Sequence, residues 1–200
     1  MNDHEPRHAA RPEQEAGQKP EQEGTAGRPE QTVTSVVRLD LERYLGLWYE
    51  AGRLPLRFED DAASDVTAEY SLRDDGTVRV DNRCIDAEGE PTQALGQADP
   101  DPEHPGRLRV SFLPAAIRWI PFTRADYWVL KIDDAYRHAL VGTPDRKHLW
   151  LLSRDPHPDE AVQREFLTEA RRQGYELAEW IRPAQSGSRV TDEQLAAAGR

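Results

Sequence analysis

The chain is poor in cysteine: Cys84 is the single one among 200 residues. An intramolecular disulfide and a cysteine-based metal cage are therefore excluded. Positive charge is also short, with 26 Lys and Arg against 37 Asp and Glu, a formal net of −11. Nucleic acid binding needs clustered positive charge, so no nucleic acid partner is expected. An anionic membrane surface repels such a chain on average. Long apolar runs are missing too. No stretch approaches the roughly 18–20 apolar residues that span a bilayer.

The first 31 residues contain no aromatic residue and no Val, Ile or Leu. Pro6, Pro12, Pro20 and Pro29 lie there among Glu, Gln, Gly and Arg. Such a stretch buries too little apolar surface to offset its ordering entropy, which predicts a disordered tail over 1–33. A basic start followed by an apolar core is absent, so no signal peptide is read and the expected location is cytoplasmic. Residues 184–200 are rich in Ala, Gly, Ser and Gln and read as a flexible C-terminal tail. Within it, Thr191 and Gln194 have the spacing of a capping box for a short helix. The folded domain is expected over 34–183.

What is present in that domain is alternation. Val66, Ala68, Tyr70 and Leu72 alternate with polar residues, and Asp74-Asp75-Gly76 then signals a hairpin. Val78, Val80, Asn82 and Cys84 repeat the pattern, as do Leu108, Val110 and Phe112. Each run reads as a strand with one buried and one wet face. Further strands are expected over 46–53, 92–98, 127–133, 136–142 and 147–153. Eight short strands in series form a meander, and closure into a barrel removes its exposed edges. One helix follows, started by Pro158 and the acids Asp159 and Glu160 and ended at Gly174. Val162, Phe166, Leu167 and Ala170 form its apolar stripe, which must pack outside the barrel. The fold class is therefore all-β: an eight-stranded antiparallel up-and-down barrel with one C-terminal helix outside it.

Three motifs then resemble a known family. Leu45-Gly46-Leu47-Trp48-Tyr49-Glu50 resembles the Gly-x-Trp signature on the first lipocalin strand. Ile132-Asp133-Asp134-Ala135-Tyr136 resembles the second lipocalin motif, and Trp150-Leu151-Leu152-Ser153-Arg154 the third. The likeness covers about 40–182 and is nearest to the bacterial outer-membrane lipoprotein and apolipoprotein D branches of the family. It implies that Gly46, Trp48 and Arg154 close one barrel end. A guanidinium stacked on an indole contributes roughly 0.5–2 kcal/mol there. Tyr136 and Asp133 are expected to support the turn. The resemblance also implies a location in the cell envelope and a role in membrane maintenance under stress. The acylated N-terminal cysteine of the bacterial branch has no counterpart here.

An eight-strand barrel is either filled or holds one small ligand. Apolar parity turns Tyr70, Val78, Val80, Asn82, Val110 and Phe112 inward. The resemblance implies that Tyr70, Asn82 and Trp128 line the pocket. Leu130 shares the parity of Trp128, and Glu50 that of Trp48. The expected ligand-binding set is thus Glu50, Tyr70, Val80, Asn82, Val110, Phe112, Trp128 and Leu130. A buried Asn82 amide needs a partner, which points to a ligand or water inside. Burying methylenes contributes about 0.8 kcal/mol each, so a long acyl chain supplies roughly 10 kcal/mol before binding entropy is subtracted. With no Lys or Arg on the inward face of the second, third or fifth strand, a carboxylate head near Glu50 is disfavoured. A lysophospholipid is therefore expected over a free fatty acid.

The connection Leu113–Phe122 is longer than a hairpin needs. Its Ile117, Trp119, Ile120 and Phe122 read either as a lid or as a membrane or homodimer contact. His4, His8, His104, His138, His148 and His157 are spread over tails, loops and strands, and no cofactor or metal is called for. Two rival readings stay open. One is an enzyme on this scaffold, with Glu50 and Tyr70 as an acid–base pair. The other is a filled barrel that binds proteins through its 113–124 loop.

Overall fold

The structure is a computed structural model, and it describes residues 32–56, 61–112 and 124–199. Eight strands close into one antiparallel barrel: β1 (Gly46–Arg53), β2 (Ser64–Leu72), β3 (Val78–Ile85), β4 (Pro91–Pro100), β5 (Arg107–Ser111), β6 (Ala125–Ile132), β7 (His138–Gly142) and β8 (Leu149–Ser153). Each strand pairs with the next in sequence, and β8 returns to β1. A short helix, α1 (Leu41–Tyr44), precedes the barrel, while α2 (Glu160–Arg172) and α3 (Asp192–Ala198) follow it. Among the described residues no helix is long and apolar enough to cross a membrane.

Directly paired residues share a face of the sheet, so the register identifies the interior. One inward row runs Trp48, Ala68, Asn82, Ala94. A second runs Gly46, Tyr70, Val80, Gly96, and a third Val78, Ala98, Val110, Ala125. Leu108 with Tyr127 and Val129 with Val141 complete the lining of the far wall. The alternation read from the sequence therefore selects the correct face of β2, β3 and β5.

The resemblance, which implies Trp128 inside and with it Leu130, selects the wrong face of β6. Trp128 pairs with Arg107 and Gly142 on the outer surface, where the Arg107 guanidinium lies 4.0 Å from the indole centroid. Leu130 is buried outside as well, among Leu140, Leu149, Leu151, Phe166 and Tyr175. The inward residues are Tyr127 and Val129. The physical reason is α2. Its Phe166, Leu167 and Ala170 pack against the outer face of this side of the barrel. Strands covered on both faces are apolar on both, and parity then carries no information. Helix α2 itself ends as expected, with Gly174 at φ +85 and the Tyr175 N–H donating to Ala170 O at 3.1 Å.

The C-terminal segment is a second correction, since residues 184–199 pack onto the barrel instead of forming a loose tail. Val190 is only 2% exposed. The Gln185 amide donates to Glu50 O and Val66 O, both at 2.9 Å. Asp65 accepts from the Ser186 N–H at 2.6 Å and from its hydroxyl at 2.9 Å. Arg83 donates to Val190 O at 3.0 Å and pairs with Asp192 at 2.7 Å. Thr191 and Gln194 form the capping box of α3. This segment is held by hydrogen bonds and charge, so its low apolar content gave no sign of docking. It also buries Asp81 and Arg83, which the alternation had placed on a wet face. Burial raises the Asp81 carboxyl, but hydrogen bonds from Arg83 and Gln93 hold it below its usual range.

Candidate functional site: the barrel interior

The interior has a sealed end. Arg154 reaches across it with its guanidinium carbon 3.7 Å from the Trp48 ring centroid. Its Nη1 donates to Leu47 O at 2.6 Å, and its Nη2 to Arg43 O, Tyr44 O and Leu45 O at 3.0, 3.1 and 2.7 Å. Burial pulls its pKa down, yet a guanidinium so placed keeps its charge. Gly46 sits at φ +91, and a Cβ there would lie 3.4 Å from Arg154 Nη1. Both conditions favour glycine. The Trp48 indole N–H donates to Tyr44 O at 2.8 Å, which ties α1 across the opening. The expected closure by Gly46, Trp48 and Arg154 is thus formed in full. Asp133 and Tyr136 support it from the β6–β7 turn. Asp133 accepts from Arg137 N at 2.7 Å, and the Tyr136 hydroxyl accepts from Asp40 N at 2.8 Å.

Above the floor lies a layer of phenols. The Tyr44 and Tyr127 hydroxyls are 2.6 Å apart, and those of Tyr70 and Tyr127 are 2.9 Å apart. Burial pushes all three upward, Tyr70 to about 12, so each keeps its proton at neutral pH. Tyr44 and Tyr70 are enclosed, whereas Tyr127 keeps accessible surface.

Glu50 also faces inward, opposite Leu152, and it is joined there by Arg53 at 2.9 Å. Simple alternation turns Arg53 outward. A register shift between Glu50 and Gly52 reverses it, placing Arg53 opposite Trp150. The interior therefore contains a cation that parity missed, and Glu50 is not an unscreened charge. Glu50 bonds Arg53 and the Tyr70 hydroxyl bonds Tyr127, while the Glu50 charge still acts on Tyr70.

Towards the other end the lining becomes small. Ala68, Ala94, Gly96 and Ala125 all point inward. Phe112 lies over Gly96, where a Cβ would come within 2.9 Å of its ring, and it is 48% exposed. Ala68, Asn82, Cys84, Ala94 and Ala125 keep accessible surface although they face the interior. Val80 and Val110 are buried deeper. Asn82 Oδ1 is enclosed and accepts no hydrogen bond among the described residues. Of the eight expected lining residues, six face the interior, and Trp128 and Leu130 do not. Ile117, Trp119, Ile120 and Phe122 lie outside the described residues. No group of three or more metal-binding side chains occurs among the described residues.

Known proteins agree with this architecture. The lipocalin-like domain family matches residues 39–185. The outer membrane lipoprotein Blc of Escherichia coli is 41% identical over 163 residues, covering 80% of this chain and 87% of the relative. Temperature-induced lipocalin-1 of Arabidopsis thaliana is 37% identical over 151 residues, covering 74% and 80%. Insecticyanin from the tobacco hornworm Manduca sexta shares the fold with a TM-score of 0.61 at 20% identity, over 81% of this chain and 86% of that one. The sealed floor, the phenolic layer and the small-residue upper lining are thus the interior of a chain that belongs to the lipocalin family, whose members bind small hydrophobic ligands.

Proposed function

We propose that the barrel carries a lipid with one long acyl chain and a zwitterionic or uncharged head, as in a lysophospholipid, and that it does so at a cell-envelope membrane. The observation that carries this reading is the contrast in lining. Inward Ala68, Ala94, Gly96 and Ala125 keep the upper interior narrow-walled, and their neighbours retain accessible surface facing inward. An apolar chain buried there gains about 0.8 kcal/mol per methylene. The Glu50–Arg53 pair is closed on itself and offers no spare cation to a lone carboxylate, which favours a head that is uncharged or neutral overall. The envelope setting is supported by the relative named as an outer membrane lipoprotein. Ile117, Trp119, Ile120 and Phe122 of the 113–124 connection supply the apolar side chains for membrane contact in this reading. Its role is carriage and not turnover.

Titration of the full chain followed by tryptophan fluorescence tests the ligand class. Lysophosphatidylcholine is expected to bind more tightly than palmitate at neutral pH, and tighter palmitate binding refutes the head-group assignment. Denaturing mass spectrometry of the purified protein is expected to release a co-purified lipid. Conversion of that lipid by the protein would replace carriage with catalysis.

A further inference from the structure

The three buried phenols do not balance as hydrogen bonders. Each hydroxyl has one hydrogen to donate. Tyr44, Tyr127 and Tyr70 form an open chain of two bonds, 2.6 and 2.9 Å long. Two bonds use two hydrogens, and the third has no acceptor among the described residues. The sharing can be arranged in three ways, and each leaves one O–H in excess. When Tyr44 and Tyr70 both donate to Tyr127, the surplus hydrogen belongs to Tyr127, the least enclosed residue of the three. A buried donor left unmade costs free energy, so an acceptor belongs at this point.

The surroundings define the acceptor. An anion is a poor fit, because the nearby cations are engaged: Arg154 with backbone carbonyls and Trp48, Arg53 with Glu50. The negative charge of Glu50 reaches Tyr70, which further disfavours a second anion. Burial keeps the phenols protonated, so they act as donors. We propose that the Tyr44–Tyr127–Tyr70 cluster is a donor subsite at the bottom of the calyx, which takes an uncharged oxygen acceptor, such as a ketone carbonyl, on the part of a hydrophobic ligand that enters deepest. This rests on the barrel being a ligand carrier and adds that the ligand is oxygenated at its buried end.

The test uses the full chain and two probes. One is 6-propionyl-2-(dimethylamino)naphthalene, and the other is its carbonyl-free 6-propyl analogue. The ketone is expected to bind about tenfold more tightly, the worth of one net hydrogen bond. Tyr127→Phe alone is expected to reduce that preference to about threefold, because the Tyr44 and Tyr70 hydroxyls that it releases are enclosed. The double variant Tyr70→Phe/Tyr127→Phe is expected to bring the two affinities within about twofold, since the remaining Tyr44 hydroxyl is enclosed. The infrared carbonyl stretch of the bound 13C-labelled ketone is expected at lower frequency in the wild type than in the double variant. Equal wild-type affinities, as when a water already holds the donor, overturn the subsite and leave the carrier reading intact. Failure of both probes to bind overturns the two together. Should the double variant not fold, the wild-type stretch decides alone: a frequency equal to that of the ketone in dry alkane overturns the proposal.

Discussion

The two ends of the barrel interior solve opposite problems. At the floor, Trp48 and Tyr44 are large and enclosed, and half-buried Arg154 is held by several hydrogen bonds. Towards the start of β4 and β6, Ala94 and Ala125 are small and exposed, and Asn82 Oδ1 has no partner among the described residues. The same strands build both ends, so the difference lies in side-chain size and polar satisfaction, not in backbone. Close packing at the floor contributes stability, whereas small side chains make few contacts of their own.

The strongest way to break this comparison is at the floor. Trp48→Ala removes the plate on which Arg154 rests and is expected to cost about 3–5 kcal/mol, read by urea denaturation. A loss below about 1 kcal/mol would mean that the indole does not seal the barrel. Away from the floor, Ala94→Phe places a ring on the inward face of β4. It is expected to weaken lysophosphatidylcholine binding about tenfold, equivalent to about 1.4 kcal/mol, while the urea midpoint hardly moves. Unchanged affinity would place the ligand elsewhere. The smallest effect at neutral pH concerns the phenolic layer between the two ends. Tyr70 is raised to about 12, chiefly by burial. Its neutral form is favoured by folding, so its contribution is complete below the ordinary phenol pKa of about 10 and is lost as pH rises from there towards 12. Tyrosinate absorbance is expected to lag in the folded protein and to jump on unfolding. Smooth titration of every phenol near pH 10 would show the layer open to water.

Much of this contrast was legible in the sequence, and the illegible parts share a cause. The Gly-x-Trp turn, the arginine of the last strand and the alternation in β2, β3 and β5 place the floor and most of the lining. Period-two reading works wherever one face meets water. At β6 the resemblance implied Trp128 inside, and period two offers no correction there because α2 covers the outer face and both faces are apolar. Period two failed at Arg53 because a register shift changes the phase within a strand, and no residue type announces that shift. Tyr127 was missed with the rest of its strand, although a half-apolar phenol is suited to an interior with polar edges. The C-terminal segment was misread because apolar content was taken as the measure of docking, whereas Gln185, Ser186 and Asp192 dock through polar groups.

That segment has a consequence for how the molecule is made. Gln185 clamps Glu50 O and Val66 O, next to the irregular stretches of β1 and β2, and Val190 and Asp192 cover Arg83. These residues follow all eight strands in chain order, so during synthesis Arg83 and its partner Asp81 stay open to water until residues 185–192 arrive to cover them.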